Sequence, residues 1–251
     1  MTRLRSTSDL TEIATALNAR LATGDLFERL ARAAAAIDGR IVFTTSLGLE
    51  DQALTHAIFT QDLPVDVLTI DTGRLFPETY QLWADTERRY GRRIRSLSPD
   101  GVSLETLVAH QGIDGFRTSI AARRACCGVR KVEPLGRALA GASVWIAGLR
   151  AEQSADRASL DFAAVDPTYE ILKVSPLLDW TRERVVDYVR THNVPYNPLH
   201  DRGFLSIGCA PCTRAVAPGE GERAGRWWWE EDDQKECGLH RHAPAGALVP
   251  S

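Results

Sequence analysis

Short apolar segments alternate with helix-like segments along this chain, and this alternation limits the fold more than any other feature of its 251 residues. Patterns typical of buried strands occupy residues 40–45, 65–70, 92–97, 144–149 and 170–174. Helical patterns occupy 9–37 as two helices, then 52–59, 77–90, 104–110, 121–140 and 181–192. Strands separated by helices pair in parallel, so the sequence predicts an α/β fold with a parallel sheet and helices on both faces.

Several helix ends carry recognisable signals. Asp9 is predicted to cap the first helix, Asp25 the second and Thr181 the last. Pro77 suits a first helical turn, and Pro134 is predicted to begin a new helix within 121–140. Two further segments are predicted to be irregular loops, 160–166 and 216–225.

The chain is predicted to have three regions. They are N-terminal helices that pack on the core, a nucleotide-binding α/β domain, and a C-terminal segment that ends in a flexible tail, over 1–39, 40–205 and 206–251. Residues 243–251 are predicted to be disordered.

Four of the five cysteines form a pattern typical of a metal site. Cys126 and Cys127 are adjacent, and Cys209 and Cys212 are separated by two residues. Four thiolates are enough for a tetrahedral or an iron–sulfur site. Adjacent ligands strain a site for one ion but can bind different irons of a cubane, so the spacing favours a [4Fe–4S] cluster over zinc. The alternative is that the first pair is buried in a helix and the second is a lone redox or zinc half-site.

The fifth cysteine, Cys237, has the neighbours of a nucleophile. It lies in a polar segment with Lys235 before it and His240 after it. Positive neighbours lower the pKa of a thiol and raise the fraction present as thiolate. The alternative is a tail thiol without a role.

Overall composition predicts a soluble protein of the cytoplasm. The net charge of −3 gives no reason to expect a nucleic-acid or membrane partner. No apolar run approaches the roughly 20 residues of a membrane span, and the N-terminus lacks an apolar signal-peptide core. Cytosolic thiols stay reduced, which favours metal or catalytic roles for the cysteines.

Two groups of residues are candidates for binding an anion. The segment Ser46-Leu47-Gly48-Leu49-Glu50-Asp51 joins a strand to a helix, the arrangement in which backbone amides receive a phosphate, although a plain turn is the alternative. Arg214, Arg223 and Arg226 precede three tryptophans and are interpreted either as an anion clamp or as a solvated face.

Taken together, these motifs resemble one family. The chain is similar to the assimilatory sulfonucleotide reductases, specifically the iron–sulfur-containing adenylyl-sulfate (adenosine 5′-phosphosulfate, APS) reductases of bacteria, over about residues 40–240. The resemblance rests on these motifs: Cys126-Cys127-Gly128-Val129-Arg130-Lys131, Cys209-Ala210-Pro211-Cys212, Lys235-Glu236-Cys237-Gly238-Leu239-His240, Asp71-Thr72-Gly73-Arg74 and Gly148-Leu149-Arg150.

The resemblance implies an adenine-nucleotide α-hydrolase-like (Rossmann-like) fold, a [4Fe–4S] cluster on Cys126, Cys127, Cys209 and Cys212, and a two-step reaction. Cys237 would attack the sulfur of APS and release AMP, and thioredoxin would then release sulfite from the S-sulfocysteine. The residues implied to hold the nucleotide are Ser46, Leu47, Gly48, Leu49, Glu50, Asp51, Gly73, Arg74 and Arg150. Those implied to face the phosphosulfate are Lys131, Arg223, Arg226 and His240.

Three alternatives stay open. The first is reduction of 3′-phospho-APS (PAPS), alone or together with APS. The second is a tRNA-modifying sulfur-transfer enzyme of the same fold, which the loop from Ser46 to Asp51 disfavours because it departs from the S-G-G-x-D-S pattern of such enzymes. The third is a metal-stabilised binding module, which would leave Cys237 unexplained. A homo-oligomer is compatible with the sequence.

Overall fold

The fold is built on one six-stranded sheet in a computed structural model that describes residues 6–154 and 157–230. Its strands are β1 (Arg40–Thr45), β2 (Val65–Ile70), β3 (Arg95–Leu97), β4 (Ala142–Ile146), β5 (Ala163–Asp166) and β6 (Ile171–Val174). They lie in the order β3-β2-β1-β4-β6-β5. All neighbours are parallel except β5 and β6, which are antiparallel. The predicted α/β class is therefore confirmed, with an antiparallel strand added at one edge.

Helices connect the strands and cover the sheet. The α-helices are α1 (Thr7–Leu21), α2 (Leu26–Ala34), α3 (Leu49–Thr60), α4 (Pro77–Tyr90), α5 (Gly101–Gln111), α6 (Ile120–Cys127), α7 (Glu133–Leu139) and α8 (Arg182–Thr191). Short 3₁₀ turns occur at Gly115–Arg117, Ala151–Gln153, Pro198–Arg202 and Ala210–Cys212. Pro77 lies in the first turn of α4 and Thr181 caps α8, as predicted.

The two faces of the sheet are buried by different helices. On one face, Phe43 of β1 belongs to a core that includes apolar side chains of α1, α2, α3 and α8. On the other face, Val42 and Trp145 pack in a second core with Leu135 of α7. Successive strand residues point to opposite faces, so a strand buried on both sides is apolar throughout. Ile41, Val42 and Phe43 of β1 accordingly form an unbroken, buried apolar run, whereas β2 contains the exposed Asp66.

Two predictions at the edges of the fold were wrong. Ser6, not Asp9, caps α1: the Ser6 hydroxyl accepts the Asp9 amide at 3.2 Å, and the Asp9 carboxylate accepts the Ser6 amide at 3.0 Å. Residues 163–166, expected to lie in a loop, form β5. The strand pairs with β6, and the Asn18 side chain bonds both the amide and the carbonyl of Ala163 at 2.8 Å.

The helix predicted over 121–140 is interrupted at its centre. Residues Gly128–Val132 form a π-helical turn between α6 and α7, and Pro134 lies at the start of α7. A π-turn inserts extra backbone into a helix and is often found at functional sites. Here it contains Arg130 and Lys131.

Across the described ranges 6–154 and 157–230, the helices are too short or too polar to cross a bilayer.

Candidate active site

A cleft opens where the chain reverses direction across the sheet. The chain runs from β1 outward to β2 and β3, then returns to β4 on the other side of β1. Such a switch point leaves a crevice at the carboxyl ends of the strands, where open α/β sheets bind ligands. The cleft has a volume of 190 Å³. Its lining includes Thr44 and Thr45 at the end of β1, Thr69 near the end of β2, Thr72 in the loop after β2, and Gly148 after β4.

The loop after β1 satisfies its own amides with side chains. The Ser46 amide donates to Asp51 at 2.6 Å, the Leu47 amide to Thr45 at 3.0 Å, and the Gly48 amide to the Ser46 hydroxyl at 3.4 Å. Ser46, Gly48, Glu50 and Asp51 line the cleft, whereas Leu47 and Leu49 are buried in the hydrophobic core. The backbone of this loop is therefore committed to internal hydrogen bonds.

Asp51 is a buried carboxylate at the wall of the cleft. It also accepts the Ser46 hydroxyl at 2.6 Å. Burial raises its pKa from 3.8 to about 6, against the lowering effect of the two Ser46 hydrogen bonds. Gly148 packs directly against Asp51: a Cβ at residue 148 would lie 2.1 Å from an Asp51 oxygen. Only glycine, which has no Cβ, lets the backbone that follows β4 come this close to the Asp51 carboxylate.

Arg150 lies beside the cleft and not in its lining. Its side chain is fully buried and forms ion pairs with Glu50 and Glu222 at 2.7 Å and with Glu152 at 2.9 Å. The resemblance implied that this guanidinium holds the nucleotide. In the structure it joins α3, the turn after β4 and the C-terminal segment through three carboxylates, and its role toward the nucleotide stays a prediction.

Three basic side chains also line the cleft. Lys131 from the π-turn, together with Arg223 and Arg226 from the C-terminal segment, line the cleft. The Arg226 guanidinium packs against Gly208, where a Cβ would lie 2.3 Å from it. The structure thus brings the three predicted phosphosulfate residues of the described chain to one cavity.

A second, smaller cavity is lined by the four cysteines of the two sequence motifs. Cys126 and Cys127 reach it from the end of α6, and Cys209 and Cys212 reach it from either end of the turn Ala210–Cys212. Cys127, Cys209 and Cys212 are buried, and all four are reduced thiols. The other lining residues are Arg74, Phe116, Arg123, Arg130, Lys131 and Trp227.

The two cavities share a wall. Lys131 and Cys209 line both of them. Thr72, which lines the cleft, places its hydroxyl 3.3 Å from the Cys209 sulfur, and its carbonyl accepts Arg130 at 2.6 Å. Lys131 and Cys209 therefore lie at the boundary between the cleft and the cysteine cavity.

A short antiparallel contact fixes the C-terminal segment against the second cysteine pair. The Trp227 amide donates to the Cys212 carbonyl at 3.1 Å, and the Arg214 amide donates to the Gly225 carbonyl at 3.0 Å. A Cβ at residue 225 would lie 2.2 Å from the Arg214 carbonyl oxygen, so the two backbones touch. This contact sets the position of Arg226 and Trp227.

Burial disfavours ionisation of two of these thiols, Cys126 and Cys212. Burial raises the pKa of Cys212 to about 11, and burial also raises the pKa of Cys126 although Arg130 opposes it. Within 6–154 and 157–230, no group of three or more His, Cys, Asp or Glu is arranged to hold a metal ion, even though four cysteines line one cavity. The cavity therefore brings four possible sulfur ligands close to one another.

The remaining predicted residues either are not part of the cleft lining or lie outside the described ranges. Gly73 has a φ of +69°, and its amide donates to Asp71 at 2.9 Å. Arg74 lines the cysteine cavity, and its guanidinium lies 5.1 Å from the centre of the Phe116 ring. Cys237 and His240 lie outside the described residues, as does the predicted flexible tail that contains them.

Several residues of the cleft were not found from the sequence. Arg157 and Gln153 lie beside Asp51 and Glu50, and Glu222 comes from a segment predicted to be an irregular loop. His200 also lines the cleft: its Nδ1 donates to the Phe204 carbonyl at 2.8 Å, and burial lowers its pKa to about 4. It is therefore a neutral imidazole. No local motif marks these residues, because they meet only in the folded chain.

Comparison with known proteins agrees with this geometry. Residues 40–215 match the family described as phosphoadenosine phosphosulfate reductase domain. A Sinorhizobium fredii protein named adenosine 5′-phosphosulfate reductase is 50% identical over 246 residues, 98% of each chain. A protein of the same name from Agrobacterium fabrum is 53% identical over 224 residues, 89% of this chain and 86% of the relative.

A solved structure supports the same assignment. The phosphoadenylyl-sulfate (PAPS) reductase from Candida auris, crystallised as a phosphate complex, is 28% identical. It superposes with a TM-score of 0.68 over 81% of this chain and 96% of its own. The fold, the extent of the match and the identity to full-length relatives lead to one conclusion. The chain belongs to the sulfonucleotide reductases, the family of the phosphoadenosine phosphosulfate reductase domain.

Proposed function

We propose that this chain reduces adenosine 5′-phosphosulfate to sulfite and AMP through an S-sulfocysteine on Cys237. The observation that carries this proposal is the shared wall between the cleft and the four-cysteine cavity, to which Lys131 and Cys209 both belong. A nucleotide cleft joined to a thiol site through an ammonium suits a reaction in which a sulfonate leaves a phosphate. The two relatives described above, both named APS reductases, are about half identical over most of the chain.

The charges around the cleft suggest how the substrate is oriented. Glu50, Asp51 and Glu222 outline one part of the lining, where hydroxyl and amino groups of an adenosine could donate hydrogen bonds. Lys131 and Arg226 lie toward the cysteine cavity and would attract the phosphosulfate. In this orientation the sulfonate lies at the shared wall.

The first step is a displacement at sulfur. The Cys237 thiolate forms a bond to the sulfonate sulfur, the bond from that sulfur to the bridging oxygen breaks, and AMP leaves with the electron pair. Negative charge grows on the phosphate as the bond breaks, so cations already in place stabilise the transition state. Lys131, Arg223 and Arg226 are the groups assigned to this task, and His240 would assist beside Cys237.

The second step needs two electrons from a dithiol protein of the thioredoxin class. One of its thiolates attacks Cys237 at the sulfur, sulfite leaves, and the second thiol resolves the mixed disulfide. The products are sulfite, free Cys237 and an oxidised disulfide in the reductant. The thioredoxin assignment and a cytoplasmic location rest on the family resemblance and on the sequence.

The four cavity cysteines are proposed to hold a [4Fe–4S] cluster. Four cysteine thiolates fit such a cluster, because each thiolate binds a different iron and the four need not meet at one ion. Four cationic side chains around the cavity, Arg74, Arg123, Arg130 and Lys131, would balance the negative charge of such a group. When bound, the cluster would supply a fixed structure and an electrostatic field beside the substrate.

Reduction of PAPS is the second candidate, because the Candida auris structure is a PAPS reductase. A 3′-phosphate would add negative charge to the nucleoside, which in the proposed orientation lies near Glu50, Asp51 and Glu222. The nearby Arg150 is already paired with Glu50 and Glu222. These contacts favour APS.

Sulfite release from each purified nucleotide tests the proposal. Anaerobically purified protein, with thioredoxin and its reductase, is expected to turn over APS with a higher kcat/KM than PAPS. Equal or faster release from PAPS would reject the APS preference. No sulfite from either nucleotide would reject the reductase function.

A further inference from the structure

A buried ion pair links the cysteine-bearing helix to the last residue of the described chain. Arg123 of α6 donates from Nε to the Glu230 carboxylate at 2.6 Å. Their side chains are only 1% and 4% exposed. Removing both charges from water is costly, and such a pair is seldom retained for stability alone. A buried pair at this position therefore suggests a role in fixing geometry.

The surroundings of the pair connect it to both parts of the site. The Arg123 guanidinium lies 4.6 Å from the centre of the Trp227 ring, and the Arg226 guanidinium lies 4.8 Å from it. Arg123 also interacts with Cys127, one helical turn further along α6. One buried side chain thus touches a thiol of the cysteine cavity, the tryptophan beside the cleft arginine, and Glu230.

The pair closes a chain of contacts in the C-terminal segment. The Glu230 amide donates to the Trp227 carbonyl at 2.8 Å, and the Trp227 amide donates to the Cys212 carbonyl at 3.1 Å. Arg123 therefore secures the end of this segment to α6, while the backbone contacts secure its start to the second cysteine pair. Glu230 is followed along the sequence by Cys237, seven residues later.

We propose that Arg123 and Glu230 are positioning residues, which anchor the segment leading to Cys237 so that its thiolate can reach the sulfonate. This inference rests on the proposed function. It assigns the pair to the first step, in which Cys237 must reach the sulfonate, and neither residue lines the cleft itself. It also gives the cysteine cavity a mechanical link to the nucleophile through Cys127 and Arg123.

The test measures formation of the S-sulfocysteine in a single turnover, by intact mass after rapid mixing with APS and no reductant. The substitution Glu230→Gln keeps the shape of the side chain and removes its charge. We expect adduct formation to slow by about 10- to 100-fold, because small misplacements of a reacting group have effects of this size. AMP affinity and iron content are expected to stay at wild-type values.

A matched control uses the exposed pair of the same segment. Arg214 and Glu220 are also ion-paired, at 2.8 Å, but both are about one-third exposed. The substitution Glu220→Gln is therefore expected to leave the adduct rate unchanged. The double variant Arg123→Gln/Glu230→Gln is expected to be no slower than the slower single variant, since the two residues act as a unit.

Several outcomes would overturn the anchor. A wild-type adduct rate in Glu230→Gln would do so, as would an equal slowing in Glu220→Gln or a loss of AMP affinity that accounts for the slower rate. If Glu230→Gln does not fold, the double variant Arg123→Gln/Glu230→Gln leaves no unpaired buried charge, and a wild-type adduct rate in that variant rejects the anchor. Absence of adduct in the wild-type protein would instead reject the proposed function.

Discussion

Individual residues around the cleft show opposing physical effects, and Asp51 is the clearest case. Two hydrogen bonds from Ser46 favour its ionised form, yet burial dominates and raises its pKa to about 6. In the unfolded chain the same carboxyl ionises near 3.8. Between these two values the unfolded state releases a proton that the folded state keeps. The Asp51 contribution to the free energy of unfolding therefore falls as pH rises through this window.

The substitution Asp51→Asn tests this effect on stability. The variant cannot ionise, so its stability relative to the wild type should increase from about pH 4 to about pH 7, by up to roughly 3 kcal/mol. Urea unfolding at both pH values measures the difference. The exposed Asp161→Asn serves as the control. A difference between wild type and Asp51→Asn that does not change with pH would contradict the raised pKa.

Gly148 provides a second test at the level of one residue. The substitution Gly148→Ala places a Cβ 2.1 Å from an Asp51 oxygen, so the end of β4 or the Ser46 loop must move. We expect weaker AMP binding and a loss of about 1–3 kcal/mol in the free energy of unfolding. Calorimetric titration and denaturant unfolding measure the two effects.

Gly136 supplies the matched control for that variant. It lies within α7, where a Cβ would meet only the Tyr169 ring at 3.9 Å. Gly136→Ala should therefore stabilise the protein by about 0.5–1 kcal/mol, because alanine is the better helix former. Wild-type AMP affinity in Gly148→Ala, or weakened binding in Gly136→Ala, would contradict the close approach at the cleft.

At the level of elements, the sequence predicts those whose signal is local. Strands β1 and β2 are short, largely buried segments rich in β-branched residues, and α4 begins at a proline, so their bounds were predicted correctly. Strand β5 was missed because four residues carry little pattern, and its stability comes from β6 and Asn18, 145 positions away. The π-turn was missed because its extra residue changes hydrogen bonding and not composition.

The same distinction holds for the elements of the site. The cysteine pairs and the basic residues beside Trp227 are local motifs, and the structure brings them to two adjoining cavities. The environment of Arg150 depends on Glu50 and Glu222, which are 100 and 72 positions away in sequence. Long-range partners of this kind leave no spacing signal, so sequence patterns could not indicate that its guanidinium is already paired.

The substitution Asn18→Ala tests the link between α1 and β5. It removes the partners of two backbone groups of Ala163, and we expect a loss of about 1–3 kcal/mol and faster amide hydrogen exchange at Ala163. Thr15→Ala, on the exposed side of the same helix, is the control. Unchanged exchange at Ala163 in Asn18→Ala would show that pairing with β6 alone holds this strand.

At the scale of the whole molecule, the cysteine cavity joins distant parts of the chain. Its ligand candidates come from the end of α6 and from the turn Ala210–Cys212, and Arg74 contributes from the loop after β2. A metal group bound only by the folded chain stabilises that fold through its binding free energy. A cluster bound by these cysteines would therefore couple iron content to overall stability.

The substitution Cys212→Ser tests this coupling. We expect anaerobically purified variant protein to lose most of its iron and to unfold at a lower temperature than the wild type, whereas Cys237→Ser keeps both properties. Iron analysis and calorimetry measure these effects. Wild-type iron content in Cys212→Ser, or stoichiometric zinc in the wild-type protein, would contradict a cluster on the four cavity cysteines.

The central claim is that a sulfonate passes from the nucleotide to the enzyme before it is released. Intact mass spectrometry after incubation with APS, in the absence of any reductant, tests it most directly. The predicted result is a gain equal to one SO₃ group, located on Cys237, absent from Cys237→Ser and removed by reduced thioredoxin. Steady sulfite production by Cys237→Ser, or a wild-type protein that turns over without this adduct, would contradict the account.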